Sequence, residues 1–206
     1  MTTTMNGYST DPPTTTITVN GKTATVRKGD VALIFLALGW LYHHRVEPVV
    51  TFNGYRSAST NTASGSVFST SNHRSATAVD INGYKWPYQA THRNTYKPMP
   101  AALAKKVRRK VLKKLPCVRW GQDFPAPYGD PMHFEITGNT ATTANKLRGG
   151  KYKVKRATWL HDGPKGGTKN RTRKLRKGTR VTVVLNLGKW ALTAKGDWIR
   201  MKRVKK

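Results

Sequence analysis

Alternating apolar and polar positions define the first element. In ITVNGKTATV (17–26) two such runs flank Asn20-Gly21, a pair suited to the positive φ of a two-residue hairpin turn. Arg27-Lys28-Gly29-Asp30 then leads into the apolar stretch VALIFLALGWLY (31–42), which predicts a helix through about His44 with Asp30 as its N-cap. PVVTFNGY (48–55) reads as a strand, SASTNTASGSVFSTS (57–71) as a small-residue loop, and ATAVDI (76–81) as a short buried strand. In KPMPAALAKKVRRKVLKKL (97–115), Leu103, Val107, Val111 and Leu115 recur every four residues, the stripe of an amphipathic helix opening near Pro100. CVRWG (117–121) and HFEI (133–136) read as further strands.

Residues 1–16, rich in Thr with Pro12-Pro13, predict a flexible lead-in, and TGNTATTANKLRGG (137–150) reads as a linker. Beyond it, TRVTVVLNL (179–187), WALTA (190–194) and WIRMKRV (198–204) alternate with turns. That pattern predicts a small barrel with Val181, Val183, Leu185, Trp190, Trp198 and Ile199 in its core. The organisation expected is thus a lead-in (1–16), a first domain (17–136), a linker (137–150) and a small β domain (151–206).

Charge sharpens this division. Of 206 residues, 38 are Lys or Arg and nine Asp or Glu, for a net charge of +29, and the last 56 hold 19 of the basic residues but two of the acidic ones. Such a surface calls for an anionic partner: nucleic acid, membrane or an acidic wall polymer. The single cysteine, Cys117, excludes an intramolecular disulfide and thiolate-rich zinc sites. The run at 31–42 is shorter than the roughly 18–20 residues of a bilayer span. It also follows Asp30 rather than a basic leader, so the expectation is a chain made in the cytoplasm without a signal peptide.

Four of the nine acids, Asp80, Asp123, Asp130 and Glu135, fall in one 56-residue stretch together with His133, and His73 lies just before it. Catalytic zinc commonly takes three ligands from His, Asp and Glu and leaves a place for water. His73 and Asp80, seven residues apart, would face opposite sides of a strand or lie about 10 Å apart along a helix. To share a metal, the small residues between them must curl. Strand alternation in GDPMHFEI puts His133 and Glu135 on one face, with Phe134 and Ile136 on the other. Asp130, three residues before His133, is within reach as a general base, and Glu135 can support a ligand from behind or pair with a lysine.

SNHRSATAVD (71–80) resembles the S-x-H-x-x-G-x-A-x-D signature of the zinc D-Ala-D-Ala carboxypeptidase and L-alanyl-D-glutamate endopeptidase family. Ser71, His73, Ala78 and Asp80 match, and Ala76 stands where Gly is usual. RWGQDFPAPYGDPMHFE (119–135) resembles the family's second block through Trp120, Gly121, Asp123, Phe124, Asp130, His133 and Phe134. NGYRS (53–57) resembles its upstream G-Y/F-R-S segment. The resemblance implies an α+β fold in which a small antiparallel sheet, with helices packed on it, carries a zinc site, as in Hedgehog and D-Ala-D-Ala peptidases. It implies Zn2+ on His73, Asp80 and His133, Asp130 as base, Arg56 stabilising an oxyanion or binding a substrate carboxylate, Ser71 hydrogen-bonding substrate, and Trp120 walling the pocket. LRKGTRVTVV (175–184) and ATWLHDGPKGG (157–167) resemble parts of a bacterial SH3-like wall-binding domain, with the insert KNRTRK (169–174) outside that pattern.

Together these resemblances imply a phage endolysin: a monomeric peptidoglycan peptidase, held on peptidoglycan and anionic wall polymer rather than on specific nucleic acid, and reaching the wall after holin-type release. Two alternatives stand beside it. One is a carboxypeptidase that trims terminal D-Ala; the other is a non-catalytic cationic protein binding nucleic acid or anionic wall polymer.

Overall fold

The computed structural model describes residues 2–64, 66, 68–164 and 166–206, so positions 65 and 67 of the expected loop and 165 of the expected wall-binding motif lie outside the described residues. The chain divides into two compact units, Met1–Thr143 and Ala144–Lys206.

The first unit opens on the hairpin β1 (Thr14–Val19) and β2 (Lys22–Arg27), turned at Asn20 and Gly21 with φ of 51° and 71°. Helix α1 (Asp30–Arg45) follows. Its cap is Gly29 at φ 95°, and Asp30 is the first helical residue rather than the cap, with its charge in the first turn near the helix's positive end. The α1 face carrying Ile34, Phe35, Leu38 and Tyr42 is buried, and Gly39 lets the helix approach β1, since a Cβ there would lie 2.7 Å from Val19 Cγ2. The central sheet is antiparallel in the order β3 (Phe52–Asn53), β4 (Ala78–Ile81), β6 (His133–Ile136), β5 (Val118–Trp120). Tyr42 packs edge-on against Phe134, fastening α1 to the core face of this sheet.

Three local expectations are corrected. The stretch expected as loop holds helix α2 (Ala58–Ala63), capped by Ser57 Oγ, which accepts from Thr60 N. The amphipathic helix is α3 (Ala101–Lys106), continuing through a wide π turn (Val107–Val111) and a tight 3-10 turn (Leu112–Lys114). The lead-in is tied down: Thr3 bridges Ser9, Met5 N donates to Thr70 O, and Asp11 N donates to Arg74 O. The Thr4 and Asn6 side chains bond to Ser75, Thr77 and Ile136.

Glu47, just past α1, organises the turn that follows β4. Its carboxylate accepts from Tyr42 Oη (2.9 Å), Trp86 Nε1 (2.7 Å), Asn82 Nδ2 (3.2 Å) and Lys85 Nζ (2.5 Å). Burial alone would raise its pKa, but these donors hold it below the usual carboxylate value. A depressed folded pKa gives stability that is present above the unfolded value and lost as pH falls through the folded one. Glu47→Gln is therefore expected to lower stability by about 2 kcal/mol at pH 7, with the deficit shrinking below about pH 4, as thermal melts at the two pH values would show.

The expected linker 137–150 instead contains helix α4 (Thr140–Leu147), within which the two units divide, and the start of β7 (Arg148–Val154). Thr143, Ala144 and Leu147 are buried, a helical spacing that a composition of small residues conceals. The second unit continues with β8 (Thr158–His161), β9 (Arg171–Leu175), β10 (Arg180–Asn186), β11 (Trp190–Thr193), β12 (Trp198–Arg200) and β13 (Val204–Lys205). These form one seven-stranded sheet in the order β13-β7-β10-β11-β12-β8-β9. No pairing among the described residues joins β9 to β13, so the expected barrel is not closed by hydrogen bonds. Tyr152, Val154, Leu160, Leu175, Val183, Ala191, Ile199 and Val204 form its core. Leu185 and Trp198 are also fully buried, whereas Trp190 is only partly so. Among the described residues no helix is long and apolar enough to cross a membrane.

Candidate metal centre

Strands β4 and β6 bring the chemistry together. Asp80 and His133 are register partners, so adjacent strands place both side chains on the same face. His73 reaches them because the chain curls after it: Ala76 takes a left-handed φ of 55°, its N–H bonds to His73 O, and its carbonyl accepts from Arg27 N. This left-handed turn is a conformation that glycine adopts most easily, and Ala76 occupies it fully buried.

Three atoms then face one another. His73 Nε2 lies 3.2 Å from Asp80 Oδ1 and 3.2 Å from His133 Nδ1, and His133 Nδ1 lies 3.1 Å from Asp80 Oδ1. Ligands at about 2.0–2.2 Å from a tetrahedral zinc are roughly 3.3 Å apart, so this triangle suits such an ion. The remaining ring nitrogens fix the tautomers. His73 Nδ1 donates to Gly54 O at 2.6 Å, and His133 Nε2 donates to Glu135 Oε2 at 3.1 Å, so His73 Nε2 and His133 Nδ1 are the nitrogens facing inward, where a bound cation would displace any proton. Gly54 is required here, because a Cβ would lie 2.0 Å from Thr25 O. All three donor residues are buried, and their grouping can hold a metal ion.

Acidic groups surround the triangle. Arg56 pairs with Asp80 Oδ2, turning Oδ1 towards the histidines. Burial opposes ionisation of Asp80, but His73 and His133 hold its pKa well below the usual range. Burial lowers the pKa of His73. For His133 burial acts the same way, but Asp80 and Glu135 outweigh it and push the value up to about 10. Glu135 is brought down to about 2 against burial by His133, Asn72 and Arg119. Asp130 is raised by burial to about 7, with Asp80 and Glu135 adding to the rise and His133 opposing it. Its Oδ1 is buried with no hydrogen-bond partner among the described residues.

Asp130 is held by backbone. Its N–H donates to Gly121 O at 2.8 Å and its carbonyl accepts from His133 N at 3.1 Å. A Cβ on Gly121 would meet Asp130 O at 2.4 Å and His133 Cβ at 3.1 Å. Gly121→Ala is thus expected to displace Asp130 and cut any hydrolytic rate by at least about tenfold, with a loss of about 2 kcal/mol in a denaturant melt.

The centre lies in a cleft of about 320 Å³. His73, Asp80, His133, Asp130, Arg56 and Ser71 all line it. Ser71 Oγ accepts a long 3.4 Å bond from His73 N. Trp120 does not line the cleft, which corrects its expected place as a pocket wall. It is 1% exposed, stacked on Phe134 and anchored through Nε1 to Pro131 O. Alternation along β5 turns Trp120 into the core and Arg119 towards the cleft, where Arg119 bonds Glu135 Oε1 through Nε (2.9 Å) and Nη2 (2.5 Å). Sequence reasoning missed Arg119 and the aromatic rim. Phe68 and Tyr128 pair at 5.6 Å and are both exposed, while Tyr88 and Phe124 line the wall.

Two histidines, a carboxylate and a second carboxylate nearby in a cleft are the equipment of a metal-dependent hydrolase. Residues 64–136, about a third of the chain, match the family model described as D-alanyl-D-alanine carboxypeptidase. The matched span contains the whole His-Asp-His group and Asp130, and supports a peptidase of that metal-dependent kind. No curated protein and no solved structure matches the chain.

Proposed function

We propose that the protein is a zinc-dependent peptidoglycan peptidase of the endolysin type, cutting an amide bond in the stem peptide or cross-bridge. The observation that carries this reading is the His73–Asp80–His133 triangle, with 3.1–3.2 Å edges, in one cleft with Asp130, whose Oδ1 has no hydrogen-bond partner among the described residues. Zinc held by the three residues would supply Lewis acidity and an activated water at neutral pH. Asp130 takes the proton of the attacking water and delivers it to the leaving amine. Arg56, one arm on Asp80, keeps the other near Ser64 Oγ at the cleft surface, where it meets the developing oxyanion or a peptide carboxylate. Ser71 offers its hydroxyl to the peptide backbone. Phe68 and Tyr128 give the chain an apolar ledge.

The second unit is proposed as the wall-binding part, SH3-like in its sequence motifs. Support comes from β9, where Arg171, Arg173 and Lys174 are exposed and suit phosphate or carboxylate polymers. Arg173→Glu with Lys174→Glu in the full chain is expected to weaken binding to purified walls at least about fivefold at low salt and to flatten its salt dependence. Release through a membrane lesion and a monomeric state complete the proposal.

The test of the activity is mass spectrometry of fragments released from purified peptidoglycan. New L-Ala carboxyl ends or split cross-bridges, abolished by a chelator and restored by zinc, are expected. Release of D-Ala alone would make the enzyme a carboxypeptidase. No product would replace the catalytic reading with that of a cationic binding protein.

A further inference from the structure

The segment before β1 lies outside the span matched by the family model, yet its hydrogen bonds converge on the loop that carries His73. Met5 N donates to Thr70 O (3.0 Å), Asn6 N to Asn72 Oδ1 (3.0 Å), and Asp11 N to Arg74 O (3.0 Å). Thr4 Oγ1 donates to Ser75 Oγ (2.8 Å), and Asn6 Nδ2 donates both to Thr77 Oγ1 (2.8 Å) and to Ile136 O (2.9 Å), tying the loop to β6.

One of these contacts continues to the metal triangle. The Asn6 N–H occupies the acceptor end of the Asn72 amide, so its donor end, Nδ2, points at Glu135 Oε2 at 2.7 Å. The same Glu135 oxygen accepts from His133 Nε2. Asn72 and Glu135 are each 4% exposed, so water does not substitute for these partners. Were the amide reversed, its carbonyl would face a carboxylate, an arrangement that costs energy in a buried site. Met5 meanwhile projects into the cleft that holds the metal triangle, more than half exposed.

Resting on the peptidase reading, we propose that residues 3–11 are a working strap of the active site. They set the orientation of the ligand His133 through Asn6, Asn72 and Glu135, and they offer Met5 as an apolar contact for the bound peptide. Asn6, Asn72 and Glu135 are positioning residues. The donated bond from His133 Nε2 fixes which nitrogen faces the metal, and such outer partners typically change metal affinity by about 10–100-fold.

The experiment measures zinc affinity by competition with a chromophoric chelator in the full chain, in Asn72→Asp and in a chain lacking residues 2–9, with melting of each metal-free protein as the control on folding. Asn72→Asp keeps an acceptor for Asn6 N–H but sets a carboxylate against Glu135. Zinc binding about tenfold weaker or more is expected in both variants. Met5→Ala is expected to keep wild-type zinc affinity and kcat while raising KM for a stem peptide about threefold. Wild-type zinc affinity in Asn72→Asp and in the shortened chain would overturn the metal-positioning role, and an unchanged KM in Met5→Ala would overturn the contact. If the shortened chain does not fold, Asn72→Asp decides. Zinc affinity is read without turnover, so a wild-type protein that binds zinc but cuts nothing would overturn the peptidase reading separately.

Discussion

Asp130→Asn is expected to lower peptide hydrolysis by about 100-fold to 10,000-fold, the range of a lost general base, while zinc affinity stays within about threefold of wild type. The two readouts separate because of where Asp130 sits. Its backbone is pinned between Gly121 and His133, so the isosteric amide keeps the loop in place. Its Oδ1 has no partner among the described residues, so the substitution breaks no hydrogen bond there. What disappears is an anionic acceptor beside the triangle. Retained hydrolysis with intact zinc binding would remove Asp130 from the mechanism, and Glu135, occupied by Asn72, Arg119 and His133, would be a poor replacement.

Asp80→Ala is the larger perturbation. In the wild type, zinc at about 1,000 times its dissociation constant should add about 4 kcal/mol to folding stability. The variant is expected to lose nearly all of that increment, together with hydrolysis. It should also be less stable than wild type without zinc, by about 3 kcal/mol, because removing one partner of a buried pair strands the other. Here the stranded groups are Arg56, whose guanidinium pairs with Asp80 Oδ2, and two imidazoles that face Oδ1. Arg56 is partly exposed and can turn to water, which places the cost at the lower end. Melts with and without zinc check both parts. A full zinc-induced shift in Asp80→Ala would mean that the metal binds elsewhere.

Local pattern carried much of this centre. Alternation in HFEI placed His133 and Glu135 together, and the distance between His73 and Asp80 required the curl that Ala76 provides. The hairpin turn at Asn20-Gly21 was equally legible. What escaped depends on partners far away in sequence. The bonds of Thr4 and Asn6 in the strap reach residues 66 to 130 positions distant, through backbone and short polar side chains that leave no periodic trace. Helix α4 hides its buried face in Thr and Ala. Trp120 was misplaced for another reason. In the structure Val118 and Trp120 are buried and Arg119 is exposed, whereas the family resemblance gave Trp120 a place beside the substrate.

The pairing of β4 with β6 has a consequence for how the protein matures. Asp80 and His133 meet only in one alignment of those strands. A slip by a single residue would send Asp80 towards the greasy interior and bring Val79 to its place, scattering the ligand atoms. If zinc occupies the triangle, its capture would proofread the assembly. Misthreaded chains would stay metal-free, and the zinc content of a preparation would count its correctly registered molecules.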